Sequence, residues 1–133
     1  MGEKEKILFA NEAFYAAFAG ADMDAMSAIW AGDAPVSVIH PGGDLVSGRG
    51  PVLESWQAIL SGEEAFDIEM RGASARCLND VGIVVCYERV GGHNLIATNL
   101  FARSGDTWHI MHHQSGPSPV LPPRADGPGT SLN

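Results

Sequence analysis

From Ala65 onward the helical period disappears from this chain, and four strand-like runs follow one another: "FDIEMRGASARCL", "GIVVCYERV", "NLIATNLFAR" and "TWHIMHHQS". They are rich in β-branched and aromatic residues and are broken by "NDVG", "GGH" and "SGD", which are hairpin signals. A meander of this kind has to bury one face, and nothing within the meander itself can cover it. The cover must come from the first half of the sequence.

That half reads as helices. "KEKILFANEAFYAAFAG" sets Ile7, Leu8, Asn11, Phe14, Tyr15 and Phe18 at helical spacing and stops at Gly20. Asp22 is placed to cap a second helix, "MDAMSAIWAG", with Met23, Met26, Ile29 and Trp30 on one stripe. A short β-branched run, "APVSVIH", ends at His40, and "PGGDLVSGRG" reads as a loop. Pro51 suits the first turn of a third helix, "PVLESWQAIL", which buries Val52, Leu53, Trp56, Ile59 and Leu60. Three helices and then a meander predict an α+β domain whose helices cover one face of a curved antiparallel sheet. The run Ile83 to Cys86 does not alternate, so the far face is expected to be partly covered as well, by a second copy of the chain.

With 133 residues, 45% of them hydrophobic and 18% charged, the chain is long enough for one packed core. The domain is expected over residues 1–119, with a Pro/Gly-rich tail over 120–133 that reads as extended. A net charge of -8 repels phosphate backbones and anionic lipid heads, so neither nucleic acid nor membrane is an expected partner. The start "MGEKEKILF" lacks the apolar run of a secretory signal, and no stretch approaches the ~20 residues that span a bilayer. Cys77 and Cys86 are too few for a disulfide framework, and a cytoplasmic location is expected.

Candidate chemistry centres on "WHIMHHQSGP". On a strand, His109 and His113 share a face but stand ~13 Å apart, too far to hold one ion, and no metal is expected. Strand parity puts His112 with Trp108 and Ile110 on the face turned toward the helices, leaving His109 and His113 outside. If "NDVG" pairs Leu78 with Ile83, then Cys77, Cys86, Glu69, Arg71 and Glu88 share a face, and Glu88 is expected to pair with Arg71, with a general base as the alternative role for this acid inside a strand. His40, at a strand end before a Pro-Gly loop, is a second candidate for moving protons near neutrality.

The segments "FYAAFAGADMDAMSAIW", "VSVIHPGGDLVSGRG", "SWQAI" and "NLFARSGDTWHIMHHQSGP", in this order, resemble the SnoaL-like branch of the NTF2-like superfamily over roughly Lys6 to Pro119. The resemblance implies a cone: a curved sheet wrapped around a pocket, closed by three helices and dimerising through the sheet. It implies ketosteroid isomerases, polyketide cyclases, dehydratases and epoxide hydrolases among the relatives, together with non-catalytic binding domains. Where the isomerases carry a carboxylate base before Pro-x-Gly, this chain has His40-Pro41-Gly42-Gly43, and Tyr15 matches the tyrosine that helps hold their oxyanion. No strand carboxylic acid is apparent as a partner for Tyr15.

The expectation is therefore a homodimeric pocket protein that binds a small, apolar or polyketide-like molecule without a cofactor. The alternative is a cofactor-independent isomerase, cyclase or dehydratase. His40, His112 and Tyr15 are the candidate catalytic groups, and Phe14, Trp30, Trp56, Thr98, Asn99 and Trp108 the candidate ligand contacts.

Overall fold

A computed structural model of the protein describes residues 1–62 and 67–120. Helices α1 (Glu3–Ala19) and α2 (Met23–Ile29) lead into short strands β1 (Ser37–Ile39) and β2 (Leu45–Ser47) and helix α3 (Arg49–Leu60). Four long strands follow: β3 (Ile68–Leu78), β4 (Val81–Val90), β5 (His93–Ser104) and β6 (Thr107–Pro117). They form one six-stranded sheet of order β2-β1-β6-β5-β4-β3, antiparallel except where β1 runs parallel to β6. The α+β layout expected from the sequence is present. Residues 121–133 of the expected tail, and Ala65 and Phe66, where the first strand-like run is expected to begin, lie outside the described residues.

The helices end where their residues dictate. Glu3 and Glu5 stand in the first turn of α1, where the helix dipole favours negative charge. After Ala19 the chain turns through Ala21, at φ 49°, and Asp22 accepts a hydrogen bond from Ala25 N (3.0 Å) to cap α2. Trp30 does not extend α2; it leaves the helix and makes a parallel bridge to Ile110. The Arg49 guanidinium holds this corner. Its Nη1 donates to Trp30 O (2.8 Å) and Ala31 O (3.1 Å), and its Nη2 to Ser27 O (2.8 Å). Those of Ser27 and Trp30 are carbonyls that the end of α2 leaves unpaired.

Phe14 sits at the centre of the core, edge-on to Tyr15, Trp56 and Trp30 at centroid distances of 4.9, 5.5 and 6.4 Å. Ile7, Trp30, Trp56, Phe101 and Ile110 complete it at 1% exposure or less. The helix layer approaches β4 so closely that a Cβ on Gly82 would lie 2.8 Å from Ile7 Cδ1.

Three details differ from the sequence reading. "PGGDLVSGRG" contains β2, which pairs with β1 and extends the sheet by one strand. The β3–β4 turn is the two-residue Asn79-Asp80, with Asn79 at φ 56°, so Leu78 pairs with Val81 and Cys77 with Gly82, not Ile83 and Val84. That shift of two residues leaves the faces unchanged. Two bulges do change them. One, between Arg71 and Ser74 with Gly72 at φ 62°, sets Arg71 opposite Tyr87 on the outer face, where it binds Glu69 at 2.9 and 3.0 Å. The expected Arg71–Glu88 pair is therefore absent. The other inserts Met111 into β6: Phe101 pairs with Ile110, and Leu100 with His112. Beyond Met111 the parity reverses, and His113, not His112, joins Trp108 and Ile110 inside.

Candidate functional site

Between α3 and the inner face of the sheet lies a cavity of about 200 Å³. Phe18 of α1, Trp56 and Ile59 of α3 and Leu95 of β5 supply its apolar wall. Three polar side chains complete the lining: His40 just beyond β1, Glu88 of β4 and His113 of β6. Glu88 and His113 are each only 1% exposed, so these two groups belong to the interior and not to the rim.

Their environment is a hydrogen-bonded circuit whose polarity can be read link by link. Asn99 Nδ2 donates to Asn11 Oδ1 (2.9 Å) and to Tyr15 OH (3.2 Å). The tyrosine's own proton goes to Glu88 Oε2 at 2.5 Å, and Ser115 Oγ donates to Glu88 Oε1 at 2.6 Å. With its amide nitrogen so engaged, Asn99 presents Oδ1 to His113 Nδ1 at 2.5 Å, and an oxygen there requires Nδ1 to carry the proton. His113 Nε2 is then a lone pair, 3.9 Å from Glu88 Oε2. At His40, Ser55 Oγ donates to Val52 O (2.7 Å) and so accepts from His40 Nε2 (2.9 Å).

Burial governs the protonation states. It pushes the His113 imidazole down to about 3, with smaller contributions from His40 and His112, and lowers His40 as well. The 3.9 Å approach of His113 to Glu88 is within ion-pair range, yet a neutral imidazole makes it a meeting of two acceptors. Burial raises the Glu88 carboxyl, opposed by the hydroxyls of Ser115 and Tyr15, and pushes the Tyr15 phenol well above its ordinary range. The Cys86 thiol, 3.3 Å from Tyr15 OH, is pushed up to about 12 by burial and is no nucleophile at neutral pH. Among the described residues, no Lys or Arg lies within ion-pair distance of Glu88.

The sequence candidates separate accordingly. His40 and Trp56 line the cavity, and Tyr15 and Asn99 stand directly behind its polar end. His112 lies on the other face, its Nδ1 2.7 Å from Ser37 Oγ. Thr98 is exposed, paired with Gln114. Phe14 and Trp30 are core residues, and Trp30 Nε1 is spent on Met26 Sδ at 3.4 Å. Trp108 is at the opposite end of the molecule, where its Nε1 donates to Glu3 Oε2 at 2.9 Å. A strand carboxylic acid does pair with Tyr15, and it is Glu88. Asn11 and Glu88 were legible as polar residues inside apolar stripes; His113 and Ser115 were not, because Met111 reverses the parity ahead of them.

The SnoaL-like domain profile matches residues 7–120. A candidate dehydratase of the NTF2-like family from Streptomyces avermitilis is 30% identical and superposes with a TM-score of 0.80, covering 89% of this chain and 97% of that one. A candidate calcium/calmodulin-dependent protein kinase type II association domain from Thiobacillus denitrificans is 29% identical at a TM-score of 0.75, over 82% and 92% of the two chains. The F-box protein SKIP8 of Arabidopsis thaliana is 32% identical over 111 residues, which are 82% of this chain but 48% of that protein, so the chain spans about half the length of this curated relative. On the profile match, the sequence likeness and the shared cone of sheet and helices, the chain belongs to the SnoaL-like branch of the NTF2-like superfamily.

Proposed function

We propose that the protein binds a small, largely apolar molecule in the cavity under α3, and does so as a homodimer paired through the outer face of its sheet. The observation that carries this is the polar end of the cavity. A carboxylate and an imidazole at 1% exposure, held by Tyr15, Ser115 and Asn99, are costly to bury beside the apolar wall of Phe18, Trp56, Ile59 and Leu95. Such groups gain their value from something brought to them. Cavities of roughly 150 Å³ lined by apolar side chains take up benzene, while drug-sized ligands need roughly 300 Å³ or more. A volume of about 200 Å³ therefore suits one or two fused rings, a fragment of polyketide size.

Dimerisation has its own support. The outer face leaves Val85 37% and Ile96 38% exposed, beside a groove of about 350 Å³ that includes Ile83 and Val85. A cytoplasmic setting without nucleic-acid or membrane partners accords with the acidic composition, and no helix among the described residues is long and apolar enough to cross a membrane.

The test is the titration of the five histidines by NMR, with and without a panel of small apolar ligands. Binding that moves the His113 and His40 resonances and spares His112 supports the reading. A panel that moves none of them refutes it. A second reading, acid–base catalysis of the isomerase, cyclase or dehydratase type, draws on the 30% likeness to the Streptomyces protein. In it the proton acceptor is the free Nε2 of His113, not His112.

A further inference from the structure

The hydrogen-bonded circuit around Glu88 runs in one direction and leaves one step open between two acceptors. His113 Nδ1 donates to Asn99, Asn99 to Tyr15, and Tyr15 to Glu88 Oε2. The return step, from Glu88 Oε2 to His113 Nε2, spans 3.9 Å between two lone pairs. With Glu88 ionised, the protons of Tyr15 and Ser115 are committed to its carboxylate and that of His113 to Asn99, so no group of the circuit donates into that step. Two acceptors facing one another in an apolar surround want a donor between them.

The same cavity also contains the opposite deficiency. Trp56 lines it, and its buried Nε1–H has no hydrogen-bond partner among the described residues. Indole Nε1 can only donate. The cavity thus has two facing acceptors at its Glu88–His113 end, and one of its lining residues, Trp56, carries a buried donor without a partner.

We propose that the ligand is a neutral hydroxyl compound, a phenol or an alicyclic alcohol of one or two rings, whose O–H donates to the Glu88–His113 pair and whose oxygen accepts from Trp56. This rests on the cavity being a ligand site, and it names the chemical class admitted there. A hydroxyl is both donor and acceptor on one atom, which is what the two deficiencies require together. A ketone or an ether accepts from Trp56 but brings no proton to the two acceptors. A carboxylate or phosphate meets Glu88 with like charge, and no cation on the lining offsets it: both lining imidazoles are held neutral by burial.

The experiment is a matched binding series on the full chain: phenol and 2-naphthol, each against its methyl ether, its parent hydrocarbon and its carboxylate counterpart. Dissociation constants come from NMR titration of the His113 ring. One extra charge-assisted hydrogen bond with a second neutral one predicts that the hydroxyl compound binds at least roughly ten-fold tighter than its ether or hydrocarbon, with the carboxylate weakest. Trp56→Phe should cut the preference for hydroxyl over hydrocarbon, read as the ratio of the two dissociation constants on the same variant, about three-fold or more. Glu88→Gln replaces an acceptor by an amide and should collapse the discrimination against ethers; thermal melts of both variants show whether the fold is kept. If ether or hydrocarbon binds as tightly as the hydroxyl compound, this inference is wrong while the cavity remains a ligand site. If no member of either series binds, the binding reading itself falls, and this inference with it.

Discussion

Lowering the pH from 7 to 5 should cost the native protein about 2 kcal/mol through His113 alone. Burial holds its folded-state pKa at about 3, against an ordinary 6.5. A depressed imidazole pKa means that the unfolded chain takes up the proton and the folded one refuses it. The contribution of His113 to stability is thus intact above pH 6.5 and is lost progressively as pH falls toward 3. At pH 5 the difference from neutrality is ~1.4 kcal/mol for each of about 1.5 pH units, hence about 2 kcal/mol.

Other groups contribute in the same interval. His40, also lowered by burial, adds to the loss; Glu88, raised by burial, works against it, because the folded state binds that proton first as pH falls. The assay therefore compares two proteins. Urea unfolding followed by tryptophan fluorescence, repeated from pH 7 to pH 5, is run on the native chain and on His113→Gln. The variant is the less stable at neutrality, having lost packing against Phe14 (5.1 Å) and Trp56 (5.8 Å). The gap should narrow by about 2 kcal/mol on acidification. A gap that stays constant to within ~0.5 kcal/mol, or a His113 resonance that titrates between pH 6 and 7, would refute the buried neutral imidazole and the tautomer built on it.

Gly82→Ala should destabilise the fold by ~1–3 kcal/mol, since its Cβ meets Ile7 Cδ1 at 2.8 Å; the double variant with Ile7→Val, which removes that methyl, should recover part of the loss, and strict additivity in the cycle would show that the contact is not the cause. Arg49→Lys should cost on the order of 2 kcal/mol in chemical denaturation, because an ammonium cannot reach the carbonyls of Ser27, Trp30 and Ala31 together; a loss under ~0.5 kcal/mol would mean that the corner holds without the fork. If the chain pairs through its outer face as proposed, light scattering should give a dimer mass that Val85→Glu lowers to the monomer without changing the circular dichroism spectrum; a monomeric native chain, or a dimer the variant leaves intact, would refute that pairing.

The helices and the meander were legible because each depends on local patterning: Phe14 and Phe18 recur at helical spacing, Asp22 caps, and Gly91-Gly92 takes the two left-handed positions, φ 56° and 85°, that a tight hairpin requires. Even the misjudged turn at Asn79-Asp80 did little harm, since a slip of two residues keeps Val84, Cys86 and Glu88 on the inner face. The pocket side of β6 was not legible. Alternation predicts faces only along an unbroken ladder, and β6 changes neighbours midway: Ile110 is bridged by Trp30, while His112 to Gln114 pair with β1. Met111 takes up the mismatch, and nothing in "HIMHH" marks it as the extra residue.

That irregularity is also the reason the buried circuit at the cavity exists. On an unbulged β6, His112 and Gln114 would face the helices, and His113 and Ser115 the outside. Glu88 would then lose the hydroxyl that donates to its Oε1, and Asn99 would lose the imidazole whose proton fixes its amide. A carboxylate buried beside Tyr15 alone is poorly satisfied, and a longer side chain such as Gln114 would intrude upon the space that the cavity occupies. Bulges commonly re-aim side chains at functional positions, and here one inserted residue re-aims two of them together. Deleting Met111 should therefore abolish the shift of the His113 ring with hydroxyl ligands while leaving β3, β4 and their turn in register. Retention of that response in the deletion variant would mean that the circuit does not depend on the bulge.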